Sequence, residues 1–387
     1  MDEAAPTQFD SMSAPGFQGL SGLSGFIEMM KQSDISGPFI QRRIHHGIPL
    51  GQGAQFHVYG AQHGAPRQSE FSYLDQPYRT EMRILRKGKL TLRPIYVAFK
   101  RPLPAKPSSD HQQDLPIGFG NSGQLRELQL EVLALGHKTL RSHRKIVTML
   151  AWGFDLDPNP DGNVINPISP IIIVECANCS LRKFLMPEND SMPVEVRQKL
   201  CHDVCKAVSV LHHVAIIHGD IKTENVLIYA AETTELGCLA KLSDFGISIS
   251  EEEGKSSSSK IRDSDIGTDG WQAPELLEGV YPCDLAKCDL FSLGLLVWSV
   301  MSSRGRSPLS ESTPAESALD LAISFLETSG IPDVNKSQIE SVLSSLLQND
   351  PRERAPNIQA VCSNLAVQDP DYNRANSWYY SAFKLIN

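Results

Sequence analysis

The sequence predicts an α+β chain of two lobes. Three observations predict it. The chain has 387 residues, enough for two hydrophobic cores rather than one. Strand-like runs gather in its first half, at residues 48–59, 96–101, 146–154 and 171–175. Long helical patterns follow, over residues 196–211 and 289–301.

Composition narrows the function classes. Hydrophobic residues make up 41% and charged residues 21%, the balance of a soluble globular protein. A formal net charge of −9 argues against a nucleic-acid partner. Residues 1–10 carry Asp2, Glu3 and Asp10 and no apolar run, so no secretory signal is expected. The longest apolar stretch, residues 290–301, is interrupted by Ser292, Gly294 and Ser299. It falls short of the roughly 20 residues that cross a bilayer, so no membrane span is expected. The eight cysteines are scattered, which points to reduced thiols and a cytoplasmic or nuclear location. Cys176 and Cys179 form a C-x-x-C, but no second pair completes a zinc site.

Residues 1–47 are rich in Ser, Gly, Pro and Gln, with a brief helical pattern at 26–31. They read as an extension that is partly disordered or packs on the outside. Residues 48–59, I-P-L-G-Q-G-A-Q-F-H-V-Y, set Gly51 and Gly53 between two strands. Small residues there let backbone N–H groups approach a phosphate, although an ordinary β-turn fits as well. Residues 60–95 read as an insertion, with a turn between two strands at 85–90. In the strand at 96–101, Val97 and Phe99 alternate with Ala98 and Lys100, which places Lys100 toward the glycines. The helix at 124–135 repeats Leu128, Val132 and Leu135, and puts Glu127 and Glu131 on one face. Pro193 opens a long helix with a core stripe of Val196, Leu200, Val204, Val208 and Leu211. The helix at 289–301 is apolar on nearly all sides and belongs in a core. The aromatic end (Trp378, Tyr379, Tyr380, Phe383) reads as a packing tail.

The chemistry concentrates between the two long helices. Residues 217–228 read I-H-G-D-I-K-T-E-N-V-L-I, and residues 241–246 read K-L-S-D-F-G. Phosphoryl transfer needs magnesium against the phosphates, hard oxygen ligands, and a carboxylate that orients the attacking hydroxyl. Asn225 and Asp244 are hard-oxygen ligands, Asp220 can accept the hydroxyl proton, and Lys222 can reach the transferring phosphate. Residues 247–267 are polar, and a plain loop and a regulatory loop fit them equally.

These residues resemble the catalytic loop and D-F-G turn of eukaryotic-type protein kinases. His218-Gly219-Asp220 stands where that family has H-R-D, Asn225 matches its Asn, and Asp244-Phe245-Gly246 matches in full. The G-T-D-G-W-Q-A-P-E of residues 267–275 resembles the family's G-T-x-x-[YW]-x-A-P-E. Tyr96 to Lys100 contains the family's V-A-x-K, and Asp289 opens its D-x-x-S-x-G helix. The H-G-D and L-G-x-G-A style is similar to the kinases of filamentous fungi.

The resemblance spans about residues 48–356 and implies a bilobal protein-kinase-like fold. That fold has a small antiparallel β-sheet lobe plus one helix, and a larger, mainly helical lobe. It divides the chain into an extension at 1–47, a small lobe at 48–175, a large lobe at 176–366 and a tail at 367–387. ATP and two magnesium ions would bind between the lobes. The resemblance assigns Gly51, Gly53, Val58 and Ala98 to the nucleotide, Val174 to the position beneath the adenine, and backbone groups of Glu175 to Ala177 to the adenine edge. It pairs Lys100, which orients the α- and β-phosphates, with Glu131 rather than Glu127. It sets Thr268 between Asp220 and Lys222, and ion-pairs Glu275 with Arg354. Asn225 and Asp244 would carry magnesium. The D-x-K pattern with Thr268 resembles serine/threonine kinases, so the implied partner is a protein bearing serine or threonine.

Two departures stand out. Phe56 replaces the third glycine of the phosphate loop, and Gly219 replaces the arginine that receives an activation-loop phosphate. Gly219 implies activity independent of such a phosphate. Together the two raise the alternative of a pseudokinase, a nucleotide-binding or protein-interaction module without transfer. A small-molecule kinase shares H-x-D and D-x-x-x-x-N but lacks the A-P-E segment.

Overall fold

The computed structural model describes residues 23–32, 35–41, 48–52, 56–60, 80–86, 89–95, 97–102, 122–155, 169–185, 192–230, 237–250, 266–277, 284–302, 305–309, 313–355 and 358–366. The chain divides into two compact units.

One unit is built on a six-stranded sheet. Its elements in chain order are α1 (Leu23–Gln32), β1 (Ser36–Gln41), β2 (Ile48–Gln52), β3 (Phe56–Gly60), β4 (Thr80–Arg86), β5 (Lys89–Ile95), β6 (Val97–Pro102), α2 (Ser122–Gly136), β7 (Met149–Asp155) and β8 (Ser169–Glu175). The sheet order is β1-β7-β8-β6-β3-β2, and β4 and β5 form a separate antiparallel pair. That pair closes at Arg86↔Lys89, inside the turn expected from the sequence.

β8 is one of the two central strands. Its run Ile171, Ile172, Ile173 and Val174 is buried on both faces, as an unbroken β-branched stretch requires. Val97, Phe99, Ala151, Ile171 and Ile173 form a core cluster on the sheet.

β1 differs from the expectation of an outer extension: it is a sheet strand, parallel to β7 through Ser36↔Ala151, Phe39↔Gly153 and Ile40↔Phe154. Its backbone runs so close to Trp152 that a Cβ at Gly37 would stand 2.5 Å from the indole Nε1. Only glycine fits that approach.

The other unit is mainly helical. It comprises α3 (Lys138–Arg141), β9 (Cys179–Ser180), α4 (Leu181–Phe184), α5 (Val194–His213), β10 (Ile216–Ile217), β11 (Val226–Ala230), β12 (Cys238–Leu242), β13 (Ile249–Ser250), α6 (Pro274–Leu277), α7 (Ala286–Met301), α8 (Ala318–Thr328), α9 (Asp333–Leu346) and α10 (Ile358–Leu365). Every residue of the α5 stripe is fully buried. α5 packs on α7 and α10, and α7 is buried along nearly its whole length. No described helix is long and apolar enough to cross a membrane.

Residues 137–147 group with this unit rather than with the sheet that follows them. Backbone bonds cause it: Val147 N donates to Leu242 O at 3.0 Å and Leu242 N to Lys145 O at 2.9 Å. Hydrogen-bond partners, not chain order, set that boundary.

Candidate active site

The helical unit positions a loop between β10 and β11. Its anchor is Asp289, at the start of α7 and 2% exposed. One carboxylate oxygen accepts His218 N at 2.8 Å, and the other accepts Gly219 N at 2.9 Å. His212 Nε2 lies 3.0 Å from the first oxygen. Burial pushes this carboxyl up, but the bond and charge of His212 and the backbone amide of His218 outweigh it and hold it below its ordinary value. The folded state therefore binds this proton less readily than the unfolded chain. The resulting stability is complete above the ordinary carboxylate value of 3.8 and is lost as pH falls through the lower folded value. Asp289→Asn is expected to lower stability at pH 7 and to narrow the difference from wild type below pH ~4, by denaturant unfolding at both pH values.

Gly219 takes φ +78°, and a Cβ there would lie 3.2 Å from Ile247 O. An L side chain in this conformation costs about 1–2 kcal/mol. The glycine that departs from the family pattern is thus what this backbone path needs.

Around Asp220 the bonds close a triangle. Thr268 Oγ1 donates to Asp220 Oδ1 at 2.7 Å. Lys222 Nζ donates to Asp220 Oδ2 at 2.6 Å and to Thr268 Oγ1 at 2.6 Å. Asn225 Nδ2 donates to Asp220 Oδ2 and to the Asp220 carbonyl, both at 2.8 Å. His218 supports the loop from beneath. Its Nδ1 accepts Asp220 N at 3.2 Å, so the ring proton sits on Nε2, which donates to Ser243 O at 3.0 Å. The ring lies 5.0 Å from that of Phe245, which is fully buried.

The β11–β12 hairpin joins the remaining polar groups. Val226 pairs with Leu242, which sets Asn225 and Asp244 at the same end of the hairpin. Ser243 N and Oγ both donate to the Asn225 carbonyl, at 2.9 and 2.8 Å. Asp244 has φ +66°, a strained conformation for a non-glycine residue that concentrates at functional sites. With Nδ2 of Asn225 donating to Asp220, its amide oxygen is the atom that could serve a metal. An amide oxygen and a carboxylate make a hard donor set that fits magnesium, which needs only one or two such ligands beside phosphate and water. Among the described residues no group of three or more His, Cys, Asp or Glu is arranged to hold a metal ion, so a zinc-like cage is not what this hairpin builds.

In the sheet unit, Lys100 Nζ meets Glu131 Oε2 at 2.5 Å, and both residues are buried. Strand register aligns the other nucleotide candidates. Gly51 pairs with Val58 and Val58 with Lys100, while Ala98 pairs with Val174. Gly53 lies outside the described residues, and Phe56 opens β3 opposite Pro102. Glu175 N donates to Thr148 O at 3.1 Å and its side chain accepts Thr148 N at 2.8 Å. Its N–H is therefore committed within the sheet, which narrows the backbone groups that could bond an adenine edge. Ala177 groups with the helical unit.

Glu275 and Arg354, 79 residues apart, form a buried two-pronged pair at 2.5 and 2.8 Å. Sequence reasoning missed His212, Ser243 and the buried Arg101–Asp155 pair at 3.1 Å. His212 and Ser243 are single residues with no motif of their own, and Arg101 and Asp155 lie 54 residues apart. The one available signal was a histidine pair closing α5.

The family model for the protein kinase domain matches residues 122–365. The chain is similar to the serine/threonine-protein kinase STY17 of Arabidopsis thaliana, 29% identical over 211 residues, 53% of this chain and 34% of the relative. It is similar to the serine/threonine-protein kinase Kist of Homo sapiens, 26% identical over 275 residues, 67% and 61% of the two chains. It is also similar to the dual specificity protein kinase TTK of Mus musculus, 25% identical over 192 residues, 47% and 21%. The chain spans less than two thirds of the length of each of these relatives.

Proposed function

Because the chain belongs to the protein kinase domain family, we propose that it transfers the γ-phosphate of ATP to serine and threonine hydroxyls of protein substrates. The observation that carries this reading is the closed triangle of Asp220, Lys222 and Thr268. Asp220 Oδ orients the substrate hydroxyl and takes its proton. Lys222, already held beside that carboxylate, brings positive charge to the group in transit. Thr268 holds the two in register. Lys100, kept in place by Glu131, orients the α- and β-phosphates of ATP. Asn225 and Asp244 would hold magnesium, which neutralises phosphate charge when bound. The scattered cysteines support a cytoplasmic or nuclear location.

Gly219 and Phe56 favour a second reading, a nucleotide-binding module without transfer. Incubation with magnesium, labelled ATP and a mixed Ser/Thr/Tyr peptide library separates the two. Phosphoserine and phosphothreonine are expected, at a rate unchanged by prior phosphatase treatment. Phosphotyrosine as the main product overturns the specificity, and nucleotide binding without transfer establishes the second reading.

A further inference from the structure

We infer that the α1–β1 segment is a built-in positioning device for the Lys100–Glu131 pair, with Phe26 as its positioning residue. This rests on the kinase reading for its catalytic consequence, though not for its structural one.

α1 presents Phe26, Met29 and Met30 on one face, with exposures of 0%, 6% and 1%. That face is spent on two neighbours in the same unit. α1 packs against α2, the helix that carries Glu131. Phe26 meets Trp152 of β7 edge-on, with ring centroids 5.9 Å apart, and Trp152 in turn meets Phe154 at 5.8 Å. Just beyond α1, Ile35 Cδ1 lies 3.6 Å from the position of a Cβ at Gly136, the last residue of α2. The chain then enters the sheet as β1, parallel to β7 with a register shift between Ser36 and Phe39.

Residues 23–32 and 35–41 therefore brace the two elements that carry the ion pair. They touch α2 directly, and through β7 and β8 they join the sheet whose strand β6 carries Lys100. The pair itself needs such a grip. It is 2.5 Å long, with side-chain exposures of 9% for Lys100 and 3% for Glu131. A buried pair holds only with good geometry, because desolvation of both charges is otherwise uncompensated. A shift of α2 by about 1 Å would misplace the lysine that orients phosphate, a displacement that can cost 100-fold in rate. Leu128, Val132 and Leu135 hold α2 through apolar packing, which resists separation better than sliding. The edge-on contact of Phe26 with Trp152 fixes α1 on β7 in a directional way, and α1 in turn packs on α2.

The test uses the full chain with Phe26→Ala, Phe26→Leu, Glu131→Gln and the Phe26→Ala/Glu131→Gln double variant. Val334→Ser, at a residue 75% exposed, serves as a control in the helical unit. Hydrogen exchange is read over residues 122–136 and over 194–213, and transfer is read as kcat/KM. Phe26→Ala is expected to speed exchange in α2 at least tenfold with α5 unchanged. It is expected to lower kcat/KM tenfold or more, and the double variant should fall no further than Glu131→Gln alone. Phe26→Leu should recover most of both. Unchanged exchange in α2 overturns the inference, and so does a double variant whose losses multiply. If Phe26→Ala fails to fold, Ile35→Ala, at the contact with the last residue of α2, is read by the same criteria. If the wild-type chain transfers no phosphate, the kinase reading falls and exchange in α2 alone decides the inference.

Discussion

Asp220→Asn should reduce phosphate transfer by about 100- to 10,000-fold while nucleotide binding persists, the loss expected when a positioned general base is removed. The bonds explain why an isosteric change is so costly. Oδ1 accepts the Thr268 hydroxyl, and Oδ2 accepts both Lys222 Nζ and Asn225 Nδ2. An amide nitrogen at the second position would face two donors and accept from neither. Turned the other way, it would face the Thr268 hydroxyl. The first orientation breaks part of the triangle, the second keeps it only by donating to Thr268 Oγ1, and both remove the proton acceptor. The measurement is single-turnover transfer beside nucleotide titration for both proteins. A variant that transfers at the wild-type rate would show that Asp220 is not the catalytic carboxylate.

The largest stability effect belongs to Arg354→Ala, about 3–5 kcal/mol, as for any buried ion pair stripped of one partner. Arg354 is 1% exposed and does more than pair with Glu275. Its guanidinium also donates to the carbonyls of Lys287, Gln348 and Asn349, at 2.9, 2.8 and 3.2 Å. It lies over the Phe291 ring at 4.9 Å. Truncation leaves a buried carboxylate and three carbonyls without those donors. Domains are stable by only about 5–15 kcal/mol, so much of the margin goes. Denaturant unfolding at neutral pH measures it. Arg354→Lys should recover little, because a lysine cannot make the two-pronged contact. Arg354→Met with Glu275→Leu should recover most of the loss, because no buried charge is then left alone. A loss under 1 kcal/mol for Arg354→Ala would refute this account.

Local pattern made much of this protein legible. The α5 stripe needed only helical periodicity, and β8 only a run of β-branched residues between breaks. The 85–90 turn was readable because lysine, glycine and arginine interrupt two apolar alternations. The order of Asp220, Asn225 and Asp244 was readable because a loop and a hairpin hold them within 24 residues. The β1 strand was not readable. Its six residues, S-G-P-F-I-Q, contain proline and glycine and carry no alternation. They become a strand because β7 offers an open edge and Gly37 allows approach to Trp152.

The amino-acid sequence alone determined which chemical groups this protein has, in what order, and on which kind of element each lies. Those properties follow from neighbours a few residues apart. Only the tertiary structure decided that His212 joins the loop amides at Asp289, that Gly219 sits at φ +78° where an L side chain is strained, and that α1 packs on α2. Each depends on packing between distant segments, where burial decides which polar groups must find one another.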